Sequence, residues 1–104
     1  MSQFDVHRNP SARTRAAVPY LLVVQSDALA WFPRRAVVPL VPVATLRALD
    51  PTLNPAVTVA GNDHALLPTD IASVPARDLG EAVCNLAGEG GRIIRALDLL
   101  IARY

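Results

Sequence analysis

Leu22-Val23-Val24-Gln25-Ser26-Asp27, Arg34-Arg35-Ala36-Val37-Val38-Pro39-Leu40 and Thr69-Asp70-Ile71-Ala72-Ser73-Val74-Pro75 decide the fold. All three are strand-like, and they follow one another in a fixed order. None supplies a nucleophile beside a base, a metal-ligand set or a phosphate-cradling loop. The chemistry expected of such a chain lies in contacts and not in bond-making.

Outward from these stretches, Gln3 to Arg8 alternates with Phe4 and Val6 on one side, the pattern of a half-buried first strand. Asn9 to Arg15 carries Pro10, Ser11 and Thr14 and reads as a mobile connection into an apolar strand, Val18 to Gln25. That second strand should be buried on both faces or lie at a dimer seam. Ala28 to Pro33 reads as a loop bearing Trp31 and Phe32. A third strand runs from Arg34 to Leu40 and should end or bulge at Pro39 and Pro42, which cannot donate to a ladder. Val43 to Leu49 is open between a helical turn and an irregular strand.

Ala56 to Ala60 is a short strand entering a turn at Gly61-Asn62-Asp63, and His64 to Val74 is its return. Asp78 can cap a helical turn through Val83. Gly88-Glu89-Gly90-Gly91 breaks the chain before a final helix, where Ile93, Ile94, Leu97, Leu100 and Ile101 give one apolar stripe and Arg92, Arg95 and Asp98 a wetter side. Five or more antiparallel strands and one C-terminal helix describe a mainly β fold, a small barrel-like domain closed by a helix.

A chain of 104 residues fits one domain, expected over residues 1–104. With 52% hydrophobic and 18% charged residues it should fold into a well-filled globule or an oligomer. The apolar stretches Ala16 to Val24 and Ala36 to Leu46 are too short, and too interrupted by prolines, to cross a bilayer. The first twenty residues carry Asp5, His7, Arg8, Arg13 and Arg15 without an apolar core, so they form no secretory signal and a cytoplasmic protein is expected. Cys84 is the only cysteine, which removes intramolecular disulfides and Cys-based zinc sites. It reads as a small buried hydrophobe.

Net charge is +1, all ten basic residues are Arg, and six of them fall in residues 1–49 against two Asp. That balance does not support binding to nucleic acid by counterion release, whereas a local Arg patch fits an acidic protein segment. His7 and His64 stand outside any ligand-spaced motif, so no metal or cofactor is expected. Trp31 and Phe32 are either an exposed partner anchor or a cover over the barrel end. Arg34 and Arg35 read as structural partners of Asp27 or Asp70.

Gln3-Phe4, Val24-Gln25-Ser26-Asp27, Arg34-Arg35 with Val38-Pro39-Leu40, Thr69 to Pro75 and Leu79-Gly80-Glu81 occur in an order and spacing that resembles the CcdB family of toxins. The resemblance implies an SH3-like antiparallel barrel with a small extra sheet and a C-terminal helix. It also implies a homodimer, a role in plasmid maintenance, and a non-enzymatic toxin that poisons DNA gyrase through its A subunit. In the family the last three residues, Trp-Gly-Ile, make that contact. The matching positions here are Ala102, Arg103 and Tyr104, with Asp98 on the outer face of the same helix. The family's antitoxin, of CcdA type, wraps the dimer with a disordered acidic tail, and Arg8, Arg13 and Arg15 are the residues that would meet it.

Two other readings accompany this one. A homologue could keep the antitoxin surface and have lost or changed its target. Alternatively, the related MazF-type ribonucleases share the barrel and use an Arg at a strand resembling Arg35-Ala36-Val37-Val38. For that chemistry this chain offers Asp27 and Thr58 at best.

Overall fold

The computed structural model describes residues 2–102 and shows a curled, half-closed antiparallel sheet with one helix at its C-terminal end. The strands are β1 (Asp5–Arg8), β2 (Tyr20–Val23), β3 (Arg34–Pro42), β4 (Ala56–Val59), β5 (Asn62–Leu66), β6 (Ala72–Pro75) and β7 (Ala82–Asn85), and the helix is α1 (Gly90–Ile101). They pair in the order β4-β5-β3-β2-β1-β7, with β6 also on β3. The small extra sheet is therefore the β4–β5 hairpin, joined to the main sheet through the far half of β3.

β3 carries the architecture because one of its edges serves two partners in turn. Residues 34–37 pair with β6 and residues 40–42 with β5, while the other edge pairs with β2. Pro39 falls between the two partners. Its carbonyl accepts from Leu67 N, and a strand residue's N and O point the same way, so the missing N–H lies where no ladder bond is due. The expected end or bulge at Pro39 is thus replaced by a strand that runs on to Pro42.

β2 is buried on both faces within one chain. Leu22 and Val24 enter the main core with Val6, Val38, Leu40, Leu66 and Ile93. Leu21 and Val23 join Val37 and Leu79 in a second cluster on the other face. Each fully buried aliphatic side chain adds about 1.5–3 kcal/mol, so the two-faced burial of this one strand outweighs its short length.

Several local expectations shift. The first strand starts at Asp5 and not Gln3, because Phe4 takes a left-handed backbone (φ 71) while bonding Val23 O and Leu86 N. Its ring lies on Gly90, where an added Cβ would come within 3.0 Å of Phe4 Cε2. The hairpin turn is the pair Ala60-Gly61, both left-handed (φ 52 and 79), which matches the strand twist, so Asn62 and Asp63 belong to β5. The expected strand from His64 to Val74 divides at Pro68–Asp70, a 3-10 turn, into β5 and β6. Val43–Thr45 is a further 3-10 turn. Where a helical turn was expected after Asp78, Ala76–Asp78 is a 3-10 turn and β7 follows, filling the free edge of β1 by a long-range pairing that local pattern does not reveal.

The apolar stripe of α1 is split. Ile93 and Ala96 are buried and Leu97 and Leu100 half-buried, but Ile94 and Ile101 lie on the flank, 39% and 77% exposed. At 100° per residue both stand about a quarter turn from Ile93, beyond reach of a sheet that touches only one line of the helix.

Candidate functional site

The loop between β2 and β3 is built from its hydrogen bonds outward. Ser26 Oγ caps the 3-10 turn Asp27–Leu29 by accepting from Ala28 N. Gln25 Nε2 donates to Leu29 O and Arg34 O, and Gln25 Oε1 accepts from Ala36 N. Arg35, buried at 8% exposure, donates to the carbonyls of Phe32, Arg34 and Ala30. The expected ion pair with Asp27 or Asp70 is not formed: Asp27 accepts from Gln3 N, and Arg34 donates to Ser73. Among the described residues the one salt bridge joins Arg92 to Glu89.

A buried guanidinium that donates to two carbonyls of this loop and to Arg34 O at the head of β3 holds the loop in a single shape. The loop in turn displays Leu29, Trp31 and Phe32. Trp31 is 75% exposed and meets Phe32 edge to face, with ring centroids 5.5 Å apart. These aromatics stand in solvent and do not cover the barrel end.

Beside Phe4, near the start of this loop, lies the outer face of α1. An open groove of about 720 Å³ runs there between Phe4, Ile94, Arg95, Asp98 and Leu99. Gln3 links the two features, donating from Nε2 to Val24 O and from its backbone to Asp27, while the adjacent Phe4 forms the groove wall. Asp98 thus faces a mostly apolar groove with Arg95 beside it. The helix stops where Ala102, extended and exposed, donates to Asp98 O. Arg103 and Tyr104 lie outside the described residues.

Of the three loop arginines, Arg15 is part of the structure. It donates from Nε to Asn9 O (2.7 Å) and from Nη2 to Pro10 O (3.2 Å), while Asn9 ties together Ser11, Thr14 and Val18. The expected mobile connection is therefore a hydrogen-bonded loop. The side chains of Arg8 and Arg13 are exposed and make no hydrogen bond among the described residues. They sit at the opposite end of β1 from Phe4, about 13 Å along the strand.

The residues that a ribonuclease would need are not brought together. Arg35 lies on the β6 half of β3, Thr58 lies in the β4–β5 hairpin and bonds Asp63 (3.2 Å), and Asp27 is held by Gln3. His7 is buried in β1 with Nδ1 on Gly80 O (2.9 Å), and its other ring nitrogen has no partner among the described residues. Burial, with the Asp5 charge adding to it, pushes the half-buried Cys84 thiol up. No group of three or more His, Cys, Asp or Glu placed to hold a metal occurs among the described residues, and no described helix is long and apolar enough to cross a membrane.

Residues 3–102 match the family model described as CcdB protein. No curated protein sequence matches the chain. Among solved structures, a similar fold is found in an endoribonuclease in complex with its cognate antitoxin from a mycobacterial species. The two are 17% identical, with 100% of this chain and 99% of that chain covered and a TM-score of 0.73. At that identity the likeness establishes the fold alone.

Proposed function

The chain belongs to the CcdB family, and from that premise we propose that it is the toxin of a toxin–antitoxin module, acting by binding a protein and catalysing nothing. The target is the A subunit of DNA gyrase. The contact surface is the outer face and end of α1, with Asp98, Ala102, Arg103 and Tyr104, extended by the Trp31–Phe32 loop. Exposed aromatic side chains in a loop already locked into shape lose little entropy on binding, which is what a contact anchor requires. The observation that carries the reading is the groove beside Asp98, whose wall residue Phe4 follows Gln3, the residue bonded to Asp27 at the start of the loop that exposes Trp31. Arg8 and Arg13, free at the other end of β1, suit the acidic tail of a CcdA-type antitoxin, and Arg15 supports their loop. The toxin works in the cytoplasm as a homodimer.

A ribonuclease is the second reading, favoured by the antitoxin-bound endoribonuclease of similar fold. Against it stand the separate placements of Arg35, Thr58 and Asp27: the carboxylate that Thr58 meets is Asp63 in the β4–β5 hairpin, while Arg35 is on the β6 half of β3.

The test is a cleavage assay in which purified protein is mixed with gyrase, ATP and supercoiled plasmid, and in parallel with total RNA. Gyrase-linked double-strand breaks with intact RNA support the proposal. RNA fragments without gyrase support the second reading. Intact DNA and RNA together with antitoxin binding indicate a homologue that has lost or changed its target.

A further inference from the structure

A second cavity, distinct from the groove on α1, opens at the Arg8 end of the sheet, where Tyr20 pairs with Arg8. It measures about 560 Å³ and lies between the start of β2, the 3-10 turn after β3 and the β4–β5 hairpin. Pro19, Pro42, Val43 and Val59 form apolar walls, and the polar groups facing it are His64 and Tyr20. His64 is 4% exposed. Its Nδ1 lies 2.9 Å from Asn62 O, and a carbonyl only accepts, so Nδ1 carries a proton and Nε2 is the ring nitrogen left to bear a lone pair. Nε2 has no partner among the described residues. Tyr20 meets the His64 ring edge on, with centroids 5.3 Å apart and planes at 76°, and its hydroxyl likewise makes no hydrogen bond among those residues. Asp63 and Asn62 stand at the exposed mouth.

We infer that this cavity is a binding site for a small planar heteroaromatic carrying an N–H donor, of the aminopurine or aminopyrimidine kind. The size is that of an ordinary small-ligand pocket, mostly apolar with a few convergent polar groups. A ligand that brings an N–H to Nε2 replaces the water bond available there, and one without a donor displaces that water uncompensated. The Tyr20 ring and the proline walls accept a flat apolar body. The Asp63 carboxylate at the mouth disfavours an anionic substituent, so the free base is preferred over its phosphate ester.

The chain has two histidines, so ring-selective NMR reads the site against an internal control. Adenine is titrated into the intact protein, and AMP into a second sample. Saturable movement of the His64 ring signals, with His7 unmoved and a dissociation constant on the order of 1 mM or tighter, is the expected result. AMP binds several-fold more weakly, and Asp63→Asn narrows the gap. Tyr20→Phe keeps the ring and weakens adenine by about 2- to 10-fold through loss of one hydrogen bond. No saturable movement of His64, equal movement of both histidines, or AMP binding as tightly as adenine would each overturn the assignment.

Discussion

Two loops of this molecule are each held by an arginine, and they differ in where the guanidinium lies. In residues 27–33 the holder is Arg35, buried, with two loop carbonyls and that of Arg34 as acceptors. In residues 9–18 it is Arg15, half-buried, with two. Burying a charge is costly unless its donors are satisfied, so the first loop is rigid at the expense of a committed core position. The second is held by a surface staple whose loss water can repair. The rigid loop displays apolar rings, and the stapled one displays two unbonded cations, Arg8 and Arg13. Stiffness therefore accompanies the aromatic surface, and a more forgiving frame accompanies the charges.

The largest effect is expected at the buried holder. Arg35→Met should cost about 3 kcal/mol in urea unfolding, through three lost charge-assisted bonds, and should raise the mobility of Trp31 in fluorescence anisotropy. Wild-type stability with a rigid Trp31 would erase the contrast between the loops.

Arg15→Ala should cost about 1 kcal/mol in the same unfolding assay. Arg8→Ala and Arg13→Ala should leave stability unchanged within about 0.5 kcal/mol while weakening an acidic antitoxin peptide in calorimetry. If Arg15→Ala weakens that peptide more than the other two, the loop arginines have the opposite division of labour.

A turn with no staple sharpens the comparison from outside. Ala60 sits at φ 52 ahead of Gly61, in a turn type that prefers Asn-Gly. Ala60→Asn should stabilise by about 1 kcal/mol, read as a rise in the urea midpoint at constant slope.

The smallest effect is a pH dependence at the start of β1, which ties the two ends together. Burial pushes the Asp5 carboxyl up, but hydrogen bonds from Asn85 and Ser2 and the nearby His7 outweigh it, and the group rests below its ordinary 3.8. A depressed carboxylate adds stability above its unfolded value and loses it as pH falls through the folded one. Asp5→Asn should therefore flatten the fall in stability below about pH 4, measured by thermal unfolding across acid buffers.

Much of this fold is legible in the sequence, because β2, β3 and α1 carry their own periodicity. Val37 and Val38 mark the central strand, and Ile93 marks the face of the helix that meets the sheet. What local pattern does not hold is set by partners distant in the chain. β7 exists because β1 has a free edge, Pro39 is tolerated because it falls between β6 and β5, and Phe4 turns left-handed because Gly90 leaves room for its ring. The candidate site follows the same division. Asp98 on the outer face of α1, and Arg8 at the end of β1 with Arg13 on the loop after it, could be read from position alone. The role of Arg35 could not, since Arg34-Arg35 beside Asp27 and Asp70 reads as an ion pair until the loop carbonyls are seen closing over it.

Trp31 is the only tryptophan of the chain, so protein labelled with 5-fluorotryptophan carries one fluorine reporter at the tip of the rigid loop. The fluorine spectrum is recorded with the gyrase A subunit and, separately, with an acidic antitoxin peptide. The account predicts a shifted, broadened resonance with the gyrase subunit and an unshifted one with a peptide confined to the Arg8 and Arg13 end. An unmoved resonance at saturating gyrase subunit would contradict it.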